Sequence, residues 1–113
     1  MRDQGANATY GEITFEATEQ LLDYLQVTSD DVLYDLGSGV GKFVVQAYLA
    51  TPARKVVGVE LSPTRHNLAH RIKRGLVDNG LLEDERVLTF YKENITQTDF
   101  SDATIIYLCS ACD

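Results

Sequence analysis

Residues 32–42, Val-Leu-Tyr-Asp-Leu-Gly-Ser-Gly-Val-Gly-Lys, constrain this chain more than any other segment. A short, mostly apolar run ends in an aspartate and a leucine, and glycines then occupy positions 37, 39 and 41. Such a run, bounded by turn signals, is what a strand buried on both faces of a parallel sheet requires. Glycines directly behind it let the backbone come close to a ligand, because no Cβ stands in the way. The helical pattern that follows makes the unit strand, glycine turn, helix, and so predicts a sheet in which strands and helices alternate.

The flanking segments agree. Residues 15–27 place Phe15, Leu21, Leu22 and Leu25 at helical spacing, with Thr14 as N-cap. Residues 42–51 read as a second helix broken by Pro52, and Lys55 to Glu60 as a second strand. Ser62-Pro63 is a cap followed by a first-turn proline, so a third helix starts there and runs to about Asn79, with Gly80 as its C′ residue. Leu68, Ala69, Ile72 and Leu76 form its apolar stripe, and His66, His70, Arg71, Lys73 and Arg74 fall outside that stripe on a solvated face. Arg86 to Tyr91 and Ala103 to Cys109 complete four strands, separated by a polar loop. The fold class is therefore α/β, a Rossmann-like, doubly wound parallel sheet. Right-handed crossovers lay strands one, two and three out in one direction and leave the fourth on the other side of strand one. Ligands of open α/β sheets bind at such a switch point, where the glycines stand.

Composition bounds the rest. The 113 residues, 44% apolar and 24% charged, fit one small domain, 1–113, with residues 1–9 a flexible lead-in. No stretch reaches the roughly 18 apolar residues of a membrane span, and the first ten offer no signal-peptide core, so a soluble, cytoplasmic protein is expected, nuclear in a eukaryote. A formal charge of −7 opposes nonspecific attraction to nucleic acid. Cys109 and Cys112 form a C-x-x-C that ends an apolar run instead of opening a helix, the reverse of a redox motif, and no second pair completes a metal site. His66 and His70 stand at i and i+4, but asparagine follows His66 where a zinc protease carries glutamate. No metal is expected.

Three ligand classes use a glycine turn of this kind. A dinucleotide fingerprint wants glycine at position 42, which is Lys42. A P-loop wants four residues between Gly37 and the Gly-Lys pair, and serine or threonine after the lysine; only three intervene, and Phe43 follows. The third class is S-adenosylmethionine, which has no phosphate and carries a sulfonium and an ammonium. Asp35 supplies a carboxylate for that charge, where low dielectric strengthens the attraction, and Glu60 at the end of strand two can accept both ribose hydroxyls. The loop residues Leu36, Gly37, Ser38, Gly39 and Gly41 complete the candidate site. A tight turn flanked by two solvated acids is the structural alternative.

Tyr10-Gly11-Glu12, the glycine loop 35–41 and Gly58-Val59-Glu60 together resemble the core motifs of the disruptor-of-telomeric-silencing (DOT-one) lysine methyltransferases, over about Tyr10 to Leu108. The resemblance implies a class I methyltransferase fold, of whose seven strands four are present. It also implies S-adenosylmethionine as cofactor and transfer of methyl to a protein lysine, as in histone-lysine methylation. By the same resemblance Tyr10, Gly11, Glu12 and Ile13 form a loop over the cofactor. Asp35 and Gly37 face its methionine part, and Glu60 its ribose. The family's adenine-holding Gly-Asp-Phe falls on Glu93-Asn94-Ile95, and Lys42 stands where animal members carry a cofactor-touching glutamine. The family's Asn-Asn-Phe at the target-lysine channel aligns with Cys109-Ser110-Ala111. No general base is assigned; Tyr10 and Glu12 are near by analogy alone. Two function classes follow: an enzyme core that methylates a protein, or a noncatalytic cofactor-binding or assembly module. The apolar fourth strand, left as an edge, is expected to self-associate.

Overall fold

A computed structural model describes residues 13–108. Three helices, α1 (Phe15–Leu25), α2 (Lys42–Ala50) and α3 (Pro63–Asp78), alternate with strands β1 (Val32–Leu36), β2 (Lys55–Val59), β3 (Val87–Tyr91) and β4 (Ile105–Leu108). The sheet is parallel throughout, in the order β3-β2-β1-β4. The order reverses at β1, so the switch point lies where the crossover argument put it, between β1 and β4.

Caps set the helix boundaries. Thr14 accepts from the Ala17 amide at the head of α1, and Ser62 accepts from Arg65 at the head of α3. A Schellman pair ends α3, Gly80 N–H to Val77 O and Leu81 N–H to Leu76 O. Helix α1 ends at Leu25, short of Val27, because Gln26 turns left-handed at φ 52°. The fourth strand begins at Ile105, two residues later than expected: the Thr104 hydroxyl takes the Val32 amide and its own amide goes to Val32 O, which ties the approach to β4 against β1. The intervening segment holds a short 3-10 turn, Ile95–Gln97.

Each face of the sheet has its own core. Leu33, Val56, Leu88 and Phe90 pack beneath α1 and α2, against Leu22, Phe43, Val44, Ala47 and Tyr48. Val32, Tyr34, Leu36, Val57 and Val59 line the other face, under Phe100 and Ala103. The Tyr34 hydroxyl donates to Asp102 at 2.7 Å, and Lys55 pairs with the same carboxylate at 2.9 Å, so the segment before β4 is strapped to the sheet. Full burial of each such valine or leucine contributes roughly 1.5–3 kcal/mol.

Two expectations need correction. Among the described residues of α3 only Ala69 is buried; Leu68 and Ile72 stay 39% and 38% exposed. Periodicity reports a face but not how much covers it, and α3 packs mainly over the outer strand β3. His66, assigned to the solvated face, is instead half-buried, with its ring 4.4 Å from that of His70. Among the described residues strand β4 is an edge, as expected, with Ile106 49% and Leu108 58% exposed.

Candidate cofactor site

The site grows out of the β1–α2 turn. Past Leu36 the chain keeps bonding to β2: the Gly37 and Ser38 amides both donate to Val59 O, at 2.8 and 2.9 Å. The backbone then curls through left-handed φ at Gly37, Gly39 and Gly41, of 90°, 59° and 93°, and the Gly41 amide closes the turn on Ser38 O. Space, as well as φ, demands glycine at 41: a Cβ there would stand 2.9 Å from the Phe90 ring. Helix α2 starts immediately after.

Asp35 is in register with Gly58 of β2 and Tyr107 of β4, and is 2% exposed. Its Oδ1 is buried with no hydrogen-bond partner. Burial first, and the Glu60 charge second, push its carboxyl up to about 7. Tyr107, stacked on Phe43 at 4.2 Å, is held above the usual phenol range by burial and then by Asp35. Glu60 is treated differently. Its Oε1 accepts from the Gly39 amide at 2.8 Å, its Oε2 from the Ser62 amide at 2.9 Å, and Arg65 lies 3.5 Å away. One carboxylate thus joins the glycine loop to the head of α3.

Three buried side-chain atoms among the described residues lack a partner: Asp35 Oδ1, Ser38 Oγ and His66 Nδ1. All belong to the carboxyl ends of β1 and β2 or the segments that leave them. Unsatisfied buried polar groups are rare, and their clustering marks a place built for something other than packing. Burial, then His70 and Lys92, hold the His66 imidazole below its usual range, against the raising effect of Glu60.

The structure brings together Asp35, Gly37, Ser38, Gly39, Gly41 and Glu60. Leu36 supplies backbone only, since its side chain lies on the opposite face with Val57 and Val59. Asn94 lies three residues past Tyr91, the register partner of Val59, so it stands at the same end of the sheet as Glu60. Its Oδ1 accepts from the Thr96 amide and hydroxyl, capping the 3-10 turn, and Ile95 beside it is 36% exposed. Ile13 and exposed Lys42 line a groove between α1 and α2 that includes neither Asp35 nor Glu60. Tyr10, Gly11, Glu12, Cys109, Ser110, Ala111 and Cys112 lie outside the described residues. Sequence reasoning missed His66 and Phe90. Glycine inside β2 was the available signal for Phe90, because a mid-strand glycine often marks the close approach of another group. Among the described residues no helix is long and apolar enough to cross a membrane, and no cluster of three His, Cys, Asp or Glu could hold a metal.

The chain is 28% identical over 100 residues to the H3 lysine-79-specific histone-lysine N-methyltransferase of Drosophila melanogaster, a match that covers 79% of this chain and 5% of that protein. It is 29% identical over 93 residues to a protein-lysine N-methyltransferase of Saccharolobus islandicus, covering 80% and 53%. The chain thus spans about half the length of the archaeal relative. Among solved structures, an RNA methyltransferase from Salinibacter ruber in complex with S-adenosyl-L-homocysteine superimposes with a TM-score of 0.70 at 30% identity, over 86% of this chain and 59% of that one. The family model described as "Histone methylation protein DOT1" matches residues 2–106, and the chain belongs to that family.

Proposed function

We propose that this chain holds the cofactor of an S-adenosylmethionine-dependent methyltransferase whose acceptor is a protein lysine. The observation that carries the reading is the buried Asp35 carboxyl, whose Oδ1 has no partner, beside the glycine turn and one strand from Glu60. A ligand with an ammonium and a sulfonium accounts for a buried acid without a donor, because it supplies both hydrogen-bond donors and positive charge where the dielectric is low. Glu60, already holding two amides, retains lone pairs for a ribose diol. Asn94 retains amide hydrogens for a base edge. The glycine turn lets these groups meet one nucleoside without side chains between them.

When bound, S-adenosylmethionine supplies a methyl group on a sulfonium, which passes in line to a neutral nucleophile. The residues of this chain contribute position and exclusion of water. Asp35 holds the charged end, Glu60 fixes the loop and the sugar, and the loop amides determine how deep the ligand sits. The names of the fly and archaeal relatives support a protein lysine as acceptor. The Salinibacter ruber relative is an RNA methyltransferase, but a net charge of −7 favours a protein here over a polyphosphate. The exposed Ile106 and Leu108 of edge strand β4 support association with further polypeptide, read by light scattering; a monomer at all concentrations removes that part.

Incubation with methyl-labelled S-adenosylmethionine and histone octamer, total protein or total RNA tests the reading. Label on lysine Nζ, abolished in Asp35→Ala and Glu60→Ala, is the expected result. Label confined to RNA overturns the acceptor, and calorimetry that detects no binding of S-adenosylmethionine or S-adenosylhomocysteine overturns the cofactor.

A further inference from the structure

Phe90 belongs to β3, outermost in the sheet on its side and not part of any loop, yet it reaches the glycine turn. It is 5% exposed and in register with Gly58. A Cβ on Gly58 would stand 2.8 Å from Phe90 Cδ1 and 2.9 Å from Cε1. A Cβ on Gly41 would stand 2.9 Å from Cε1 and from Cζ. Two glycines far apart in sequence, one inside a strand and one at the mouth of α2, therefore press on one ring. Ala69 closes the gap from α3, 3.4 Å from the same Gly41 position, and Ser38 Oγ lies 2.8 Å from the position of a Gly58 Cβ.

Such an arrangement is more than a filled core. An aromatic ring is rigid, and close-packed interiors transmit displacement instead of absorbing it. The turn resting on the ring is the one whose Gly39 amide meets Glu60 and whose Gly41 amide meets Ser38 O. Moving the ring therefore moves the loop backbone and the Glu60 carboxylate together. We propose that Phe90 is a positioning residue for the cofactor loop: its ring is the floor on which Gly41 and Gly58 rest, and it sets the height of the loop backbone against the nucleoside. The proposal rests on the loop being the S-adenosylmethionine site.

A thermodynamic cycle separates this role from ordinary packing. S-Adenosylhomocysteine binding is measured by calorimetry, and thermal unfolding in parallel, for the chain and for Phe90→Val, Gly58→Ala and the double variant. Misplacement of the loop weakens binding about tenfold or more in each single variant, and the double variant recovers the share of the Gly58→Ala loss that the ring causes, because the trimmed side chain admits the new methyl on that side while the Ser38 contact remains. Losses in binding that simply add, or a Phe90→Val chain that melts lower yet binds within about twofold of the parent, overturn the proposal. If Phe90→Val does not fold, Phe90→Leu, which removes Cε1, Cε2 and Cζ and so takes away the atoms that meet Gly41 while keeping the Cδ1 that meets Gly58, is measured alone: a folded Phe90→Leu chain that binds within about twofold of the parent overturns the proposal. A parent chain that is folded but binds no S-adenosylhomocysteine overturns the cofactor reading itself, and this proposal with it.

Discussion

The ends of β1 and β2 each carry one carboxylate, and the fold treats the two in opposite ways. Asp35 sits inside its strand, in register with Gly58 of β2 and Tyr107 of β4, and its Oδ1 is buried with no donor in reach. Glu60 stands one residue past its strand, where the backbone bends and frees the amides of Gly39 and Ser62 to meet it. Glu60 is therefore satisfied before any ligand arrives. Asp35 is not: burial and then the Glu60 charge push its carboxyl up to about 7, so part of it stays protonated at neutral pH until a cation comes. One acid builds the pocket and the other waits for its occupant.

Removing the charge at β1 gives the largest expected effect. Asp35→Asn keeps the shape and deletes the acid, so S-adenosylmethionine binding falls about a hundredfold or more, the scale on which breaking a buried charge pair acts. Stability moves the other way. The folded carboxyl sits at about 7 against an ordinary value of 3.8 in the unfolded chain, so the native state binds the extra proton between those values. Stability of the parent chain then falls as pH rises from about 4 to about 7 and stays low above, whereas the asparagine variant lacks this slope. At pH 8 the variant is the more stable. By the same linkage, parent affinity for the cationic ligand is full above pH 7 and drops as acid protonates Asp35, with Glu60 and Tyr107 the titratable neighbours that face it. Denaturant melts and calorimetry at pH 5 to 8 check both halves. A variant that binds normally, or is less stable at pH 8, breaks the comparison.

Glu60→Gln sharpens it from the other side. Glutamine offers one oxygen where two amides need acceptors, so either Gly39 or Ser62 loses its partner. Here stability and binding fall together, by about 1–3 kcal/mol for the orphaned amide and about tenfold in affinity for the weakened sugar contact. If Glu60→Gln costs affinity with no change in unfolding, the acid is a ligand only and its structural role is wrong.

How legible these regions were in the sequence follows from how local their causes are. The β1 boundaries, the caps Thr14 and Ser62, and the paired acids could be read because each depends on a few adjacent residues. The reversal of strand order needed only the handedness of crossovers. What could not be read depends on tertiary cover. The stripe Leu68, Ala69, Ile72 and Leu76 is genuine, but how much of it is buried depends on where α3 sits over β3. His66 looked solvated because nothing local says that the folded chain will half-bury its ring. Phe90 read as an ordinary strand residue, since its role exists only when Gly41 and Gly58 meet its ring.

The smallest expected effect concerns the base edge at the end of β3. Asn94 Oδ1 accepts from the Thr96 amide at 2.9 Å and from the Thr96 hydroxyl at 2.8 Å, which uses both of its lone pairs. Only the Nδ2 hydrogens remain, so Asn94 can donate to a ring nitrogen of adenine but cannot accept from its exocyclic amine. An S-adenosylhomocysteine analogue with carbon in place of the N1 ring nitrogen should then bind a few-fold more weakly, on the scale of one neutral hydrogen bond, about 0.5–1.5 kcal/mol. Methylation of the exocyclic amine should cost less. Asn94→Asp, an acceptor when ionised, reverses the order of the two analogues while leaving the cap on Thr96 in place. Equal binding of both analogues to parent and variant alike would place the base away from Asn94, and the edge would then be read by backbone amides alone.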